Sequence, residues 1–133
     1  MDQKTLDHLQ LAERNRDVAR KLLDDQAATY PPLVEWAAVA MFYSAVQYVN
    51  AYLWERYHKA PRDHGERTWG VHQDSGINAC LTNYNFLKDA GYKARYDETY
   101  SLSEQDARTL LEEDLREVES TILRILGLPI PTW

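Results

Sequence analysis

Cysteine is almost absent from this sequence, since Cys80 is the only one among 133 residues. A single thiol excludes an internal disulfide framework and any metal site built from several cysteines. Cys80 stands among apolar residues, so we expect a buried thiol rather than a reactive one. These features favour a reducing compartment, and we expect a cytoplasmic protein.

Histidine is also scarce, with four residues and none after His72. Glu55 and His58 form one Glu-x-x-His pair, whereas a di-iron bundle needs two. A three-histidine site from His58, His64 and His72 stays geometrically open. The sequence contains no glycine-rich phosphate loop and no Gly-x-Ser-x-Gly elbow. We therefore predict neither a metal nor a cofactor.

Residues 36–54 carry no charge, and this is about the length that spans a bilayer. The stretch nevertheless contains Ser44, Gln47, Asn50 and three tyrosines, which are costly in hydrocarbon. It is more typical of an inner helix covered by protein. We predict that the chain does not associate with a membrane.

The net charge of −6 is unevenly distributed. Residues 97–119 hold nine acidic residues against two arginines, and we expect them to form the solvated face of the last helix. The remaining chain is nearly neutral, which excludes a broad phosphate-binding face. A small basic site in the middle of the chain remains compatible with this charge pattern.

Apolar residues recur with helical spacing, and no segment alternates for long enough to form a strand. Tyr30-Pro31-Pro32 predicts a break between the first two helices, and Gly127 with Pro129 closes the last one. We predict an all-α, up-down bundle of four to five helices whose third helix is broken in two. Residues 1–127 form one domain, and residues 128–133 form a tail that folds back or docks on a neighbour. The first helix is expected to bury His8, Ala12, Asn15, Ala19 and Leu22, with Leu11, Val18 and Leu23 flanking this stripe.

The segment HGERTWGVH, residues 64–72, is the most suggestive one chemically. Asp63 and Glu66 have the spacing of a helix cap, so the segment begins a helix. Arg67 and His72 have the form R-x4-H, which can cleave a phosphodiester without a metal. Helical phase instead places His64 on the face of Arg67. Arg67, His72 and His64 are therefore candidate catalytic residues, and an ordinary helix start is the alternative.

Polar side chains also interrupt the apolar second helix at Tyr43, Gln47 and Asn50. They predict either hydrogen bonds between helices or the wall of a ligand pocket. Together with Arg95 and Tyr96 of the segment YKARYD, they are our candidate binding residues.

The chain resembles the prokaryotic HEPN-domain proteins. The resemblance rests on LAERNRDVARKLLDD, WAAVAMFYSAVQYVNAYLWERY, PRDHGERTWGV and YKARYD, which cover nearly the whole chain in order. It implies a four- to five-helix HEPN-like bundle that dimerises, with functional residues near the dimer cleft. Some members are endoribonucleases with an R-x4–6-H motif, often encoded beside a nucleotidyltransferase-type antitoxin, and others bind RNA or nucleotides without cleaving them.

Three functions remain open at this point. The first is a HEPN-like homodimer that binds RNA, a nucleotide or a partner protein, within a toxin-antitoxin or defence system. The second is a metal-independent endoribonuclease that uses an Arg/His pair. The third is a purely structural bundle.

Overall fold

The computed structural model describes residues 1–26 and 32–133, and this part of the chain contains helices and no strand. The last three segments run on without interruption and form one long helix, which gives five helices in the described residues. This confirms the predicted all-α class, while Tyr30 and Pro31 of the predicted break lie outside the described residues. The elements are α1 (Gln3–Gln26), α2 (Pro32–Tyr57), α3 (His64–Gln73), a 3-10 turn (Asn78–Cys80), α4 (Leu81–Tyr96), α5 (Glu104–Thr109), a π-helical stretch (Leu110–Leu115) and α6 (Arg116–Ile125).

The four long helices alternate in direction. α1 runs antiparallel to α2, because Thr5 bonds Glu55 near one end and Ala12 bonds Ser44 further along. α4 runs antiparallel to α2 as well, since Gly91 lies against Phe42 while Gly76, before α4, lies against Tyr52. The last helix is antiparallel to α1, with Arg108 near Asp24 and Glu119 bonded to Arg16. The chain thus forms an up-down bundle, and the third helical region is broken between α3 and α4 as predicted.

α2 is the inner helix of the bundle. It contributes Phe42, Tyr48 and Tyr52, which are among the largest fully buried side chains. The uncharged stretch therefore packs against protein on most sides, as the sequence predicts. Within residues 1–26 and 32–133, no helix has both the length and the apolar character needed to cross a membrane.

The predicted buried face of α1 is confirmed at Ala12 and Ala19 and is wrong by one position at its other members. His8 and Asn15 are only half-buried, and Val18 is exposed. Thr5 and Arg16 are buried because they bond to carboxylates of other helices, Glu55 and Glu119. The residues that α1 buries are Thr5, Leu9, Ala12, Arg16, Ala19 and Leu23.

The acidic segment is not uniformly a solvated face. Glu119 is fully buried, where it accepts hydrogen bonds from Arg16 at 2.7 Å and from the hydroxyl of Tyr48. Asp114, in the π-helical stretch, is buried against Asn83 at 3.0 Å. A buried carboxylate needs such partners to offset its lost hydration.

The helix ends follow the capping signals of the sequence. The side chain of Asp63 accepts from the backbone N–H of Glu66 at 2.8 Å, and Ser103 caps α5 by accepting from Asp106. Gly127, with φ +73°, closes the last helix through Leu128 N–H bonded to Leu123 O. These caps fix where α3 begins, and therefore where the candidate site residues lie.

Candidate functional site

Arg67 projects from the first turns of α3 toward α2. Its guanidinium donates through Nε to Asn50 Oδ1 at 2.8 Å and through Nη1 to His64 Nδ1 at 2.9 Å. Arg67 itself is 6% exposed, so its charge is held inside the protein by these contacts. The helical phase of α3 thus brings Arg67 to His64, three positions earlier, rather than to His72.

The contact with Arg67 decides the tautomer of His64. A guanidinium has donors only, so Nδ1 of His64 is the acceptor and the ring proton of the neutral imidazole is on Nε2. Burial lowers the pKa of His64, and the positive charges of Arg67, Arg95 and Lys88 lower it further. At neutral pH, His64 is therefore an uncharged ring that presents an N–H donor.

His64 lies on the wall of a groove of about 380 Å³ between α2, α3 and α4. The ring of Phe42 forms its floor, with its centroid 5.0 Å from that of His64. Cations and one carboxylate surround this apolar floor, so the groove can hold an apolar or aromatic group beside an anionic one. The groove is lined by Phe42, His64, Lys88, Asp89, Tyr92 and Arg95.

Arg95 and Lys88 reach the groove from one face of α4. Arg95 donates to the hydroxyl of Tyr43 at 2.5 Å, and its guanidinium carbon lies 4.9 Å from the ring centre of Tyr96. Lys88 donates to Thr68 of α3 at 3.0 Å. The ammonium of Lys88 has three donors and the guanidinium of Arg95 has five, so both keep donors for a ligand beyond the contacts described.

The remaining candidates lie outside this cluster. His72 is exposed, with its ring centroid 6.5 Å from that of Trp69. Gln47 Oε1 accepts a hydrogen bond from Nδ1 of His8 of α1 at 2.6 Å, which is a bond between helices. The ring of His58 packs at a tilt against Trp54, with the centroids 5.3 Å apart, instead of approaching the other histidines. In the described ranges, no group of three or more His, Cys, Asp or Glu side chains is arranged to hold a metal ion.

Four groove residues were missed from the sequence: Phe42, Lys88, Asp89 and Tyr92. Lys88, Tyr92 and Arg95 are spaced four and three apart, which is the signal of a shared helix face. Phe42 carries no such signal because it reads as an ordinary core residue of α2. The contact between Lys88 and Thr68 depends on how α3 packs on α4, which the sequence does not reveal.

Two titratable groups are buried at the start of α4 and in the turn before it. The hydroxyl of Tyr84 has no hydrogen-bond partner among the described residues, and burial raises its pKa to about 12 although Arg67 opposes the shift. Cys80 is fully buried, and burial raises the pKa of its thiol to about 12. The prediction of a buried thiol is confirmed.

Asp74 fixes the end of α3 against α2. Its buried carboxylate accepts from Tyr52 at 2.9 Å, from Tyr57, and from the backbone N–H of Gly76 at 2.7 Å. Burial alone would raise its pKa, but these hydrogen bonds outweigh burial and hold the pKa of Asp74 below its usual range. The groove wall formed by α3 is therefore anchored at both ends, by Arg67 and by Asp74.

Comparison with protein-family models, with curated proteins and with solved structures found no match to this chain. The HEPN resemblance accordingly stays a prediction. The structure itself shows an all-α bundle with a groove that is lined by cationic and aromatic side chains.

Proposed function

We propose that this chain is a HEPN-like module that binds a phosphate-bearing ligand, RNA or a nucleotide, in the groove beside His64. The observation that carries the proposal is the convergence of Arg67, Lys88 and Arg95 around one uncharged histidine. Together, the Nε2–H of His64 and the free donors of Lys88 and Arg95 form a site complementary to phosphate oxygens. Tyr92 offers an exposed ring against which a base can stack.

Arg67 plays a positioning role in this proposal. Its burial leaves it little surface for a ligand, while its two bonds fix the orientation of the His64 ring and join α3 to Asn50 of α2. The hydroxyl of Tyr43 likewise accepts a hydrogen bond from Arg95 and orients its guanidinium. Binding therefore depends on the residues that line the groove and also on the residues that orient them.

The binding test uses fluorescence anisotropy with a labelled single-stranded RNA, and with a labelled adenine nucleotide, in EDTA. Lys88→Gln and Arg95→Gln should each weaken binding about tenfold, because each removes one charge-assisted contact. Arg124→Gln removes an exposed cation of α6 outside the groove, and it should bind as the parent does. Equal binding by the parent and the three variants would contradict the proposal. If the parent binds neither the RNA nor the nucleotide, the purely structural bundle is favoured.

An endoribonuclease is the second candidate, and one observation favours it: His64 is uncharged at neutral pH beside a buried arginine. A general base must offer a free ring nitrogen, however, and Nδ1 of His64 is already bonded to Arg67. Cleavage would require Arg67 to release that nitrogen and turn toward the phosphate. The arrangement therefore favours binding over cleavage.

The RNA of the anisotropy test also decides between these two functions. Cleavage in EDTA that is lost in His64→Asn and in Arg67→Ala would establish the enzyme. His72→Ala is the matched control, because His72 is exposed and lies apart from the pair. Intact RNA with retained binding would establish the binding module.

The resemblance also leads us to propose a homodimer and a nucleotidyltransferase-type antitoxin as partner, in a toxin-antitoxin or defence system. Two large aromatic side chains are exposed at the groove, Tyr92 in its lining and Tyr96 beside Arg95. Apolar surface of this kind is typical of a protein interface. Co-purification of a co-expressed nucleotidyltransferase, lost on Tyr92→Ala with Tyr96→Ala, tests the partner.

A further inference from the structure

The segment 128–133, called the arm below, leaves the last helix at Gly127 and folds back onto α1 and α6. Its anchor is Trp133, whose indole Nε1–H donates to Glu119 Oε1 at 2.7 Å. The backbone oxygen of Trp133 accepts from Arg116 at 2.5 Å. The arm is thus held at its far end by polar contacts to a buried carboxylate and a cation.

Guanidinium groups surround the indole ring of Trp133. The guanidinium carbon of Arg116 lies 4.3 Å from the ring centre, and those of Arg16 and Arg20 lie 5.5 Å from it. These distances are within the range of cation–π attraction. We call Arg16, Arg20, Arg116 and Glu119 the tryptophan cradle.

The cradle favours tryptophan over phenylalanine. Phenylalanine has no N–H for Glu119, and the oxygen of Glu119 that faces the indole is the one that Arg16 and Tyr48 leave free. Losing that donor would leave a buried acceptor partly unsatisfied. The cradle is therefore a built recognition site whose ligand is an extended segment that carries tryptophan.

The arm is connected to the bundle in a way that permits it to swing out. Its one bond to another backbone group among the described residues is made by Leu128 N–H, at the hinge. Gly127 has φ +73° with open space around it, and glycine adopts extended conformations equally well. Pro129 and Pro131 keep the arm extended, so its six residues reach about 19 Å at about 3.1 Å per residue.

We propose that two copies of this chain exchange arms, so that Trp133 of each copy occupies the tryptophan cradle of the other. A second copy presents the same four cradle side chains, and the arm keeps every side-chain contact that it makes within its own chain. Only the turn at Gly127 differs between the closed and the exchanged forms. The exchange uses the face of α1 and α6 and does not depend on the function proposed for the groove.

The experiment measures the oligomeric state of the full chain by analytical ultracentrifugation over a wide concentration range. Gly127→Val strains the closed turn, because valine avoids φ +73°, and this should lower the dimer dissociation constant at least tenfold. Trp133→Ala and Arg116→Ala should each abolish that dimer, in the parent and in the Gly127→Val background. Arg20→Gln is a second cradle variant that disturbs fewer contacts.

Mixing the two defective chains provides the sharpest control. The Trp133→Ala chain has an intact cradle and the Arg116→Ala chain has an intact arm, so a labelled mixture should form a heterodimer that neither chain forms alone. A parent and a Gly127→Val chain that both stay monomeric would overturn the proposal. A dimer that survives in the Trp133→Ala and Arg116→Ala chains would also overturn it, because another surface would form that dimer. Ligand binding in the groove is measured separately by anisotropy.

Discussion

Arg67 and His64 are three residues apart on α3, and the guanidinium of Arg67 donates to Nδ1 of His64 over 2.9 Å. The bond joins a permanent cation to a group that is itself a cation when protonated. Protonation of His64 would both break the bond and place two positive charges side by side. The pair is therefore stable with His64 neutral, and this sets the chemical character of the groove.

The first prediction concerns the pKa of His64. We expect His64 to titrate below 6.5 and to carry its proton on Nε2 at neutral pH, because burial and then Arg67 disfavour the cation. Arg67→Gln removes the charge and should raise the pKa, which nitrogen-detected NMR titration would measure. Arg62→Gln removes an exposed arginine that is paired with Glu66, and it should leave the titration unchanged.

The same pair affects stability in acid. The pKa of His64 is lower in the folded than in the unfolded chain, so the unfolded chain binds more protons as the pH falls toward the folded value. The contribution of His64 to stability is therefore lost on acidification and retained above pH 6.5. An Arg67→Gln chain whose His64 titrates where it does in the parent would contradict this interpretation.

The second prediction concerns His58, the non-glycine residue with positive φ, at 55°, in the described chain. It ends α2, where His58 N–H bonds Trp54 O and Lys59 N–H bonds Leu53 O. Glycine suits this position better, so His58→Gly should raise the free energy of unfolding by about 1 kcal/mol. Urea denaturation measures the change, and His58→Ala, which keeps the unfavourable φ, should show no such gain.

The third prediction contrasts two glycines. A Cβ on Gly91 would lie 2.7 Å from Cβ of Phe42, whereas one on Gly65 would meet only Asp63 Oδ1 at 3.4 Å. Gly91→Ala should therefore push α4 from α2 and destabilise the fold by about 1–3 kcal/mol. Gly65→Ala should stabilise the fold by about 0.5–1 kcal/mol, since alanine is the better helix former. Thermal unfolding followed by circular dichroism compares them, and equal effects would be inconsistent with a close α2–α4 approach at Gly91.

The fourth prediction uses two buried carboxylates with opposite shifts. Burial raises the pKa of Asp114, so its stabilising contribution is present in acid and is lost as the pH rises through the folded pKa. Asp114→Asn keeps a partner for Asn83 and should stabilise the fold by about 1 kcal/mol at pH 7, an ordinary size for one substitution. The advantage should vanish near pH 3.

Asp74 provides the matched control for Asp114. Its pKa is held low by Tyr57, Tyr52 and two backbone N–H groups, so its contribution is present above the unfolded pKa and is lost as the pH falls. Asp74→Asn should destabilise the fold by about 2 kcal/mol at pH 7, because the hydroxyl of Tyr57 loses its acceptor and the bonds to Tyr52 and Gly76 lose the carboxylate charge. Parallel pH profiles for Asp74→Asn and Asp114→Asn would show that the two shifts do not have opposite signs.

The sequence predicts the helices well because caps and apolar spacing are local signals. Asp63, Ser103 and Gly127 mark helix ends through contacts within a few residues. Local phase also identifies the contact of Arg67 with His64. These features need no knowledge of how the helices pack.

What the sequence does not reveal depends on contacts between distant residues. Arg16 reads as a solvated arginine and Glu119 as a solvated acid, yet they are bonded across 103 positions. Each offsets part of the cost of burying the other's charge, and a hydrophobic pattern does not show such a pairing. The shifted face of α1, the tryptophan cradle and the place of Lys88 in the groove were all missed for this reason.

The π-helical stretch Leu110–Leu115 has a consequence for insertions and deletions. A π turn holds one more residue than an α turn does over the same part of a helix. Deleting one residue elsewhere in the last helix would rotate all later side chains by about 100° and carry Glu119 away from Arg16. Removal of the exposed Glu112 or Glu113 would instead convert the wide turn to an α turn with its flanks in place. This stretch is where the chain can change its length by one residue without disturbing the bundle.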